Sequence, residues 1–557
     1  MSITDWIVLT GFTLFIVAYG IIKSRKSSST IDGYLLADKQ SPWYVVTFSV
    51  MATQASAITF ISTPGQAFDD GMRFLQFYLG LPIAMVLISH TAVPLFHKLR
   101  VFTAYEFLES RFDVKSRFFT AGLFLIQRGL AAAFTIYAPA LVLSVLLGSD
   151  LHLTIIAIGV LTAVYTISGG SDAVNKTQLL QFTIIFIGML AALITIFIMV
   201  GDFVNPLQAV KLAGLSGKMN MMDFSFNLVD RYNFWSGIIG GTFLALSYFG
   251  TDQSQVARYL SGKSVNQTRF GLLMNGILKI PMQVGILFIG VMVFVFYQFV
   301  LPPLHFNPVT TAEIKNERKF SELEAEHKAL HGKKLEMIKG YLNEGNIGDD
   351  EFREGMQKFT SEGKKIESSV GELIKSKKPD APVNDINYIF LSFVLNFLPV
   401  GLIGLVIACV LAASMSSTSS ELNALASTSV IDFYKRTIKK DAGDAHYLKV
   451  SKIATLFWAV FAIAFAEIAN KMGSLVEAVN VLGSLFYGAI LGIFVIAFYL
   501  KKIRGTAAFY GGITGEAVVL ILFFGSGIPF LWLNFIGCMT VVISASVIQK
   551  ILEYIKR

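Results

Sequence analysis

The chain has 557 residues, of which 54% are hydrophobic, 13% aromatic and only 15% charged, a balance too apolar for an ordinary soluble globule and typical of a polytopic membrane protein. Its formal charge of +8 does not mark a nucleic-acid binder, because the basic residues cluster beside apolar span ends instead of forming one patch. Cys409 and Cys538 both lie inside apolar runs, which excludes a disulfide framework and leaves thiol chemistry without support.

The stretch Met1-Ser2-Ile3-Thr4-Asp5-Trp6 has no basic residues ahead of its apolar run, and no small-residue cleavage signal follows, so the first segment reads as a retained span. Segments long enough to cross a bilayer, about 20 residues each, fall near 4–23, 42–63, 73–96, 117–147, 152–168, 177–200, 234–250, 270–300, 388–420, 450–470, 474–499, 506–525 and 527–549, thirteen in all. The turns after the odd-numbered spans carry Lys23, Arg25 and Lys26; His97, Lys98, Arg100, Arg111, Lys115 and Arg117; Lys176; Arg258, Lys263 and Arg269; Lys435 to Lys440; and Lys501, Lys502 and Arg504. The alternate turns carry few, so the positive-inside rule places the N-terminus outside and Ile555-Lys556-Arg557 in the cytoplasm.

Span two contains a break, Met51-Ala52-Thr53-Gln54-Ala55-Ser56-Ala57-Ile58-Thr59, where small and amide residues interrupt the apolar run. Such a stretch is either a discontinuous helix whose freed carbonyls coordinate a cation or a packing seam of small residues. Arg128 lies eleven residues beyond Arg117, about 16 Å into span four at 1.5 Å per residue. A guanidinium at that depth calls for a partner. Its planar fork suits a carboxylate, and helix carbonyls or a cytoplasmic network would serve as well.

Residues 303–384 form a polar insertion on the outer side, with 14 Lys and Arg against 14 Asp and Glu from Thr311 to Lys378. Runs such as Phe320-Ser321-Glu322-Leu323-Glu324-Ala325-Glu326 predict amphipathic surface helices. The chain thus divides into spans one to eight (1–302), an extracytoplasmic helical insertion (303–384) and spans nine to thirteen (385–557).

Span nine ends in Ala413-Ser414-Met415-Ser416-Ser417-Thr418-Ser419-Ser420, six hydroxyls at membrane depth. At 3.6 residues per turn Ala413, Ser416, Ser417 and Ser420 stack on one face. Neutral oxygens stacked in this way can replace part of the hydration shell of a small hard cation; the same residues also permit close helix packing. Among the histidines only His90 lies well inside a span, and no HExxH, GxSxG or P-loop pattern occurs, so an enzyme is not expected. Nothing suggests the pore-lining ring of a channel, and no kinase, nucleotide-binding or DNA-binding segment follows Lys550 to support a solute sensor.

Several motifs, in order along nearly the whole chain outside 303–384, resemble the sodium:solute symporter family, which includes the sodium/glucose cotransporters. They are Thr103-Ala104-Tyr105-Glu106-Phe107-Leu108-Glu109-Ser110-Arg111-Phe112, Ile136-Tyr137-Ala138-Pro139-Ala140-Leu141, Gly169-Gly170-Ser171-Asp172-Ala173-Val174, Phe249-Gly250-Thr251-Asp252-Gln253-Ser254-Gln255-Val256-Ala257-Arg258-Tyr259-Leu260 and Val479-Asn480-Val481-Leu482-Gly483-Ser484-Leu485-Phe486-Tyr487-Gly488. The resemblance implies an all-α fold of two inverted five-helix repeats of the LeuT type, with one extra helix before and two after, which thirteen spans fit. It implies a sodium ion held by carbonyls of Ala52, Ala55 and Ala413 and hydroxyls of Ser416 and Ser417. Oxygen ligands suit a hard cation, and a neutral cage lets the ion leave on every cycle.

Family members with a second sodium carry an Asp after a Thr in a Trp-Thr-Asp context. Here the run is Lys176-Thr177-Gln178, so a second site at Gln178, Ser419 and Ser420 lacks its carboxylate. For the solute, the resemblance points to Gln54, Ser56, Thr59, Gln76, Tyr248 and Lys279, and sialic-acid members use an arginine on the helix that carries Arg128. Helix packing or snorkelling remains the alternative for each. The expectation is a sodium-coupled symporter of the cell membrane that imports a small solute by alternating access. A carboxylate-bearing solute such as sialic acid or a monocarboxylate is favoured over a neutral sugar. The expected partners are the solute, Na+ and the lipid bilayer, with no nucleic acid and no obligatory protein.

Overall fold

The computed structural model describes residues 1–24, 31–36, 39–344, 347–379, 381–469 and 474–555. The basic residues Arg25, Lys26, Lys556 and Arg557 therefore lie outside the described residues. In chain order the α-helices are α1 (Ile3–Ser24), α2 (Ile31–Leu36), α3 (Trp43–Gln54), α4 (Ala57–Asp70), α5 (Leu81–His90), α6 (Ala92–Leu99), α7 (Ala104–Arg111), α8 (Val114–Leu147), α9 (Leu151–Gly201), α10 (Pro206–Leu215), α11 (Gly241–Gly250), α12 (Gln253–Leu260), α13 (Val265–Phe299), α14 (Pro308–Ile314), α15 (Arg318–Lys339), α16 (Asp349–Lys377), α17 (Ile386–Phe397), α18 (Leu402–Thr428), α19 (Asp444–Ala466), α20 (Leu475–Tyr499), α21 (Gly505–Gly525) and α22 (Phe530–Ile555). Among the described residues there is no strand, only an isolated parallel bridge between Ser41 and Gly262.

Eleven helices among the described residues are long and apolar enough to cross a membrane, and Ser236–Gly250 and Ile386–Phe397 are shorter apolar helices. The expected apolar segments are largely helical among the described residues, but these helices do not correspond one to one with the thirteen expected spans. Beyond span seven the chain is helical where a turn was expected: α11 ends at Gly250, and α12 starts past Thr251 with the Asp252 side chain accepting from the backbone N–H of Ser254. Span nine does not run unbroken from 388. α17 ends at Leu398, and α18 begins only after Gly401, whose φ of 88° an L-residue with a Cβ rarely adopts. Asp5 of α1 accepts from the Gly401 and Gly404 N–H groups at 2.6 and 3.1 Å. A carboxylate at a helix N-terminus satisfies orphan donors and meets the positive end of the dipole.

Burial separates the perimeter from the centre. The apolar window of α1 is 22% buried, as is that of α19, whereas the helix that starts at Leu402 is 89% buried. α18 packs on α9, α8, α1 and α19, and also touches both halves of the broken span two. With lipid as solvent, such a helix can be polar only because protein surrounds it. Close approach is bought with glycine: a Cβ at Gly65 or Gly290 would overlap the carbonyls of Ile386 or Pro64, so α4 sits tight against both α17 and α13. α9 covers two spans, with a kink at Gly170 (φ 57°) beside Tyr34.

The polar insertion folds as α14, α15 and α16, with α15 and α16 packed on each other. Ile314, Phe320, Leu323, Ile366, Val370, Leu373, Ile374 and Ala381 form a small apolar core separate from that of the spans. A cavity of about 480 Å³ separates this hairpin from the ends of α4 and α13. Burial there pushes Lys334 down to about 8 and Glu367 up to about 7.

Candidate functional site

Span two is broken where the small and amide residues predict it. α3 ends at Gln54, Ala55 leaves helical geometry (φ −84°, ψ 75°), Ser56 is extended, and α4 starts at Ala57. The Ser56 N–H turns to the Gln54 carbonyl, so the Ala52 carbonyl is released from the helical ladder. It accepts instead from the Ser416 hydroxyl at 3.3 Å, which brings the break against the serine face of α18. Ser417 donates to the Ala413 and Ser414 carbonyls at 3.0 and 3.2 Å. Ala52, Ala55, Ala413, Ser416 and Ser417 are all buried. These are neutral oxygens only, a set suited to a monovalent hard cation that must be released again.

One turn along α18, Gln178 fills the place expected to lack a carboxylate. Its amide nitrogen donates to Thr53 Oγ1 at 3.1 Å and Ser420 Oγ at 2.9 Å, while its amide oxygen accepts from Ser49. The amide N–H groups therefore engage hydroxyl oxygens that a second cation would need. Ser419 bonds back to the Met415 and Ser416 carbonyls of its own helix and does not reach Gln178 through any of these bonds.

The solute-side residues divide. Gln76 is committed: its Nε2 donates to the Tyr232 carbonyl and its Oε1 accepts from Asp223 N–H, both at 2.9 Å, which ties the Gly71–Tyr78 turn to the loop before α11. Tyr248 accepts from Gln255 Nε2 at 2.7 Å. Ser56 and Thr59 are buried at the start of α4, and Gln54 Oε1 is buried without a partner. Lys279 is fully buried on α13; its Nζ has no hydrogen-bond partner and lies 5.8 Å from the centre of the Tyr78 ring. The residues one turn away on either side, Asn275 and Gln283, are also fully buried, with Asn275 Oδ1 and both polar atoms of the Gln283 amide unpartnered. Spacing of i, i+4, i+8 puts these three on one stripe. Leu278 and Met282, which alternate with that stripe, pack with Met51 and Ala52 of the broken helix. The unpaired ammonium is thus carried on a helix that meets the ion-side break.

Arg128 is buried and held in a network of side chains. Its Nη1 donates to Glu421 Oε1 at 3.0 Å, and its Nη2 pairs with Asp252 and donates to the Tyr487 hydroxyl at 2.6 Å. Tyr487 in turn donates to Asp252 at 3.0 Å, and Thr135 donates to Glu421 Oε2 at 2.9 Å. In this structure two carboxylates of the chain occupy the fork, which is the network alternative to a substrate carboxylate at Arg128. The network joins α8, the α11–α12 junction at Asp252, α18 and α20.

Closer to the basic end, Arg117 bonds Glu109 and Asp432, each at 2.7 Å, and Arg436 bonds Glu109 at 2.7 Å. The Arg436 and Arg117 hydrogen bonds hold the Glu109 carboxyl below the usual range. Sequence reasoning passed over Glu421, Asn275 and Gln283. The signal was present: an acid directly after a serine run within a span, and two amides one turn either side of an intramembrane lysine.

The sequence model of the sodium:solute symporter family matches residues 34–325 and 374–515. The chain belongs to the sodium:solute symporter family. Human sodium-coupled monocarboxylate transporter 1 is 26% identical over 526 residues, covering 94% of this chain and 74% of the relative. The sodium/sialic acid symporter of Proteus mirabilis is 25% identical over 552 residues, covering 98% of this chain and 94% of the relative. Among solved structures, the substrate-bound, outward-open state of a Na+-coupled sialic acid symporter superposes with a TM-score of 0.77 at 23% identity, covering 99% of this chain and 98% of that one, a likeness of fold.

Proposed function

We propose that this symporter couples one sodium ion to the import of a small organic acid, and that Lys279 receives the acid's carboxylate. The carrying observation is the fully buried Lys279 ammonium with no hydrogen-bond partner. An isolated ammonium in a low-dielectric interior costs several kcal/mol, and an arriving carboxylate removes that penalty while Gln283 Nε2 donates to it and the amide oxygens of Asn275 and Gln283 accept from hydroxyls of the solute. The monocarboxylate and sialic acid relatives fit an acidic solute.

Sodium binds between the Ala52 and Ala55 carbonyls and the Ala413, Ser416, Ser417 face, which holds the broken span against α18. Gln178 keeps the neighbouring hydroxyls occupied by amide N–H groups, so the stoichiometry is one sodium per solute. The break at Ala55 and the α11–α12 junction at Thr251 suit the inverted-repeat plan of five helices each, with thirteen spans, the N-terminus outside and 303–384 as an outer insertion. Arg128, Asp252, Glu421 and Tyr487 then act as a bolt on the inner side that must rearrange for the solute to leave. A monoanion carried with one sodium moves no net charge. Uptake of radiolabelled lactate and N-acetylneuraminate into proteoliposomes, driven by a sodium gradient, tests the reading: the transported acid enters at a rate unaffected by an imposed potassium diffusion potential. Uptake of glucose with no acid transported would replace the reading with a neutral-sugar symporter.

A further inference from the structure

At the basic end of the bundle a second cavity, of about 620 Å³, is lined by Lys39, His97, Arg100 and Lys263 together with Phe96, Phe102, Leu260 and Gly262. Three cationic side chains, Lys39, Arg100 and Lys263, converge there from three separate stretches of chain, beside His97, whose Nε2 bonds Thr268 Oγ1 at 3.1 Å, and no acidic side chain lines the cavity among the described residues. Lys39 and Arg100 are also the two non-glycine residues with positive φ among the described residues, at 54° and 52°. Arg100 takes its left-handed backbone as the residue that caps the C-terminus of α6.

The lead-in to α3 is tied to the α12–α13 turn by backbone bonds on either side of Ser41, whose N–H donates to the Ser261 carbonyl and whose carbonyl accepts from Lys263 N–H, each at 2.9 Å. Lys39 and Lys263 are thereby held on one side of the cavity, and Arg100 at the C-terminus of α6 completes it. Apolar surface adjoins the cavity: Leu99, next to Arg100, and Phe270, about two turns from Lys263, expose large apolar side chains, and Trp43 packs edge-on against Phe270 at 4.8 Å. Aromatic residues at such a boundary mark the membrane–water interface.

We infer that this cavity is a binding site for a phosphate-bearing anion, on a lipid headgroup or free in solution. Like charges held together by the fold favour an anion strongly, and guanidinium and ammonium groups are the usual partners of phosphate. The anion would bridge the α3 lead-in, the end of α6 and the α12–α13 turn. The site lies apart from the residues assigned to sodium and solute, and its test reads binding and not transport, so its failure and the failure of the transport reading are separate results.

The full chain is reconstituted in phosphatidylcholine nanodiscs and its unfolding temperature followed against inorganic phosphate, with chloride at matched ionic strength as control. In parallel, retention of phosphatidylglycerol on the detergent-solubilised protein is measured by native mass spectrometry. An R100Q/K263Q variant is compared with K501Q/K502Q, which removes two charges elsewhere at the same end. The inference expects roughly 30-fold weaker binding for R100Q/K263Q, the effect of two basic residues at a charged surface, with K501Q/K502Q unchanged. A response to phosphate alone assigns a soluble ligand, and one to phosphatidylglycerol assigns the lipid. No difference between R100Q/K263Q and wild type in either arm, or an equal loss in both variants, overturns the site.

Discussion

The polar face of α18 and the polar stripe of α13 are both buried rows of side chains at helical spacing, yet they are finished differently. On α18, Ser416, Ser417, Ser419 and Ser420 all find acceptors or donors within the protein, and Glu421 is met by Arg128 and Thr135. On α13, Asn275, Lys279 and Gln283 leave an acceptor, an ammonium and a whole amide unanswered. Leaving buried polar groups unpaired costs about 1–3 kcal/mol each, and more for a charge. A fold bears that cost where a ligand repays it, and the contrast supports the proposal that the reversible, weakly held ion uses the completed face and the solute the incomplete one.

Breaking the completed face has the largest expected effect. Arg128→Ala leaves Asp252 and Glu421 buried without their cation and should lower stability by about 3–5 kcal/mol, read as a large fall in the unfolding temperature in detergent. Adding Glu421→Gln should recover part of the loss, since one of the two stranded charges is then gone. Full stability of Arg128→Ala would mean that the pairing contributes nothing.

The incomplete face should behave in the opposite sense. Lys279→Met removes a buried charge that has no hydrogen-bond partner and fills the same space with an apolar chain. It should raise the stability of the solute-free protein by about 1 kcal/mol or more while reducing acid uptake about 100-fold, the usual cost of deleting one partner of a buried charge pair. A destabilised Lys279→Met protein would indicate that the ammonium already has a structural partner. Smaller changes are expected from Ser416→Ala and Ser417→Ala, which each remove one neutral oxygen: the sodium concentration for half-maximal uptake should rise several-fold with folding unchanged. An unaltered sodium dependence in both would remove the ion from this face.

Gln178→Asp sharpens the comparison most finely. Wild type should show a sodium Hill coefficient close to one, because the Gln178 amide already satisfies Thr53 and Ser420. A carboxylate there frees those hydroxyls and supplies charge, so sodium dependence should turn sigmoidal. A sigmoidal wild type would show that neutral oxygens alone hold a second ion.

Much of this was legible in the sequence, for reasons that can be located. Helix-forming apolar runs of bilayer length marked most of the spans, and the small and amide residues from Ala52 to Ser56 marked a place where either a broken helix or a packing seam was expected, of which the structure shows the break. Span seven was expected to end at residue 250, where α11 ends, but the short buried helix α12 beyond it was not foreseen, since its polar run reads as a turn. The start of α18 was misplaced because α17 is equally apolar; only Pro399, Gly401 and the distant Asp5 carboxylate mark the boundary. Arg128 was found by its depth, but its partners Asp252 and Glu421 are 124 and 293 residues away, and pairing over such distances is decided by packing. Lys279 could be singled out in sequence, whereas its isolation could not, because the absence of a partner is a property of the whole surrounding bundle.

The claim that the α13 stripe awaits an anion is tested most directly by binding, before any transport step. Purified wild type and Lys279→Met are titrated by calorimetry, in sodium and in potassium, with lactate, N-acetylneuraminate and glucose. The account predicts that one of the acids binds wild type in sodium, that its affinity falls about 100-fold in Lys279→Met, and that glucose does not compete. An acid that binds both proteins equally well, or glucose bound in preference to either acid, would contradict it.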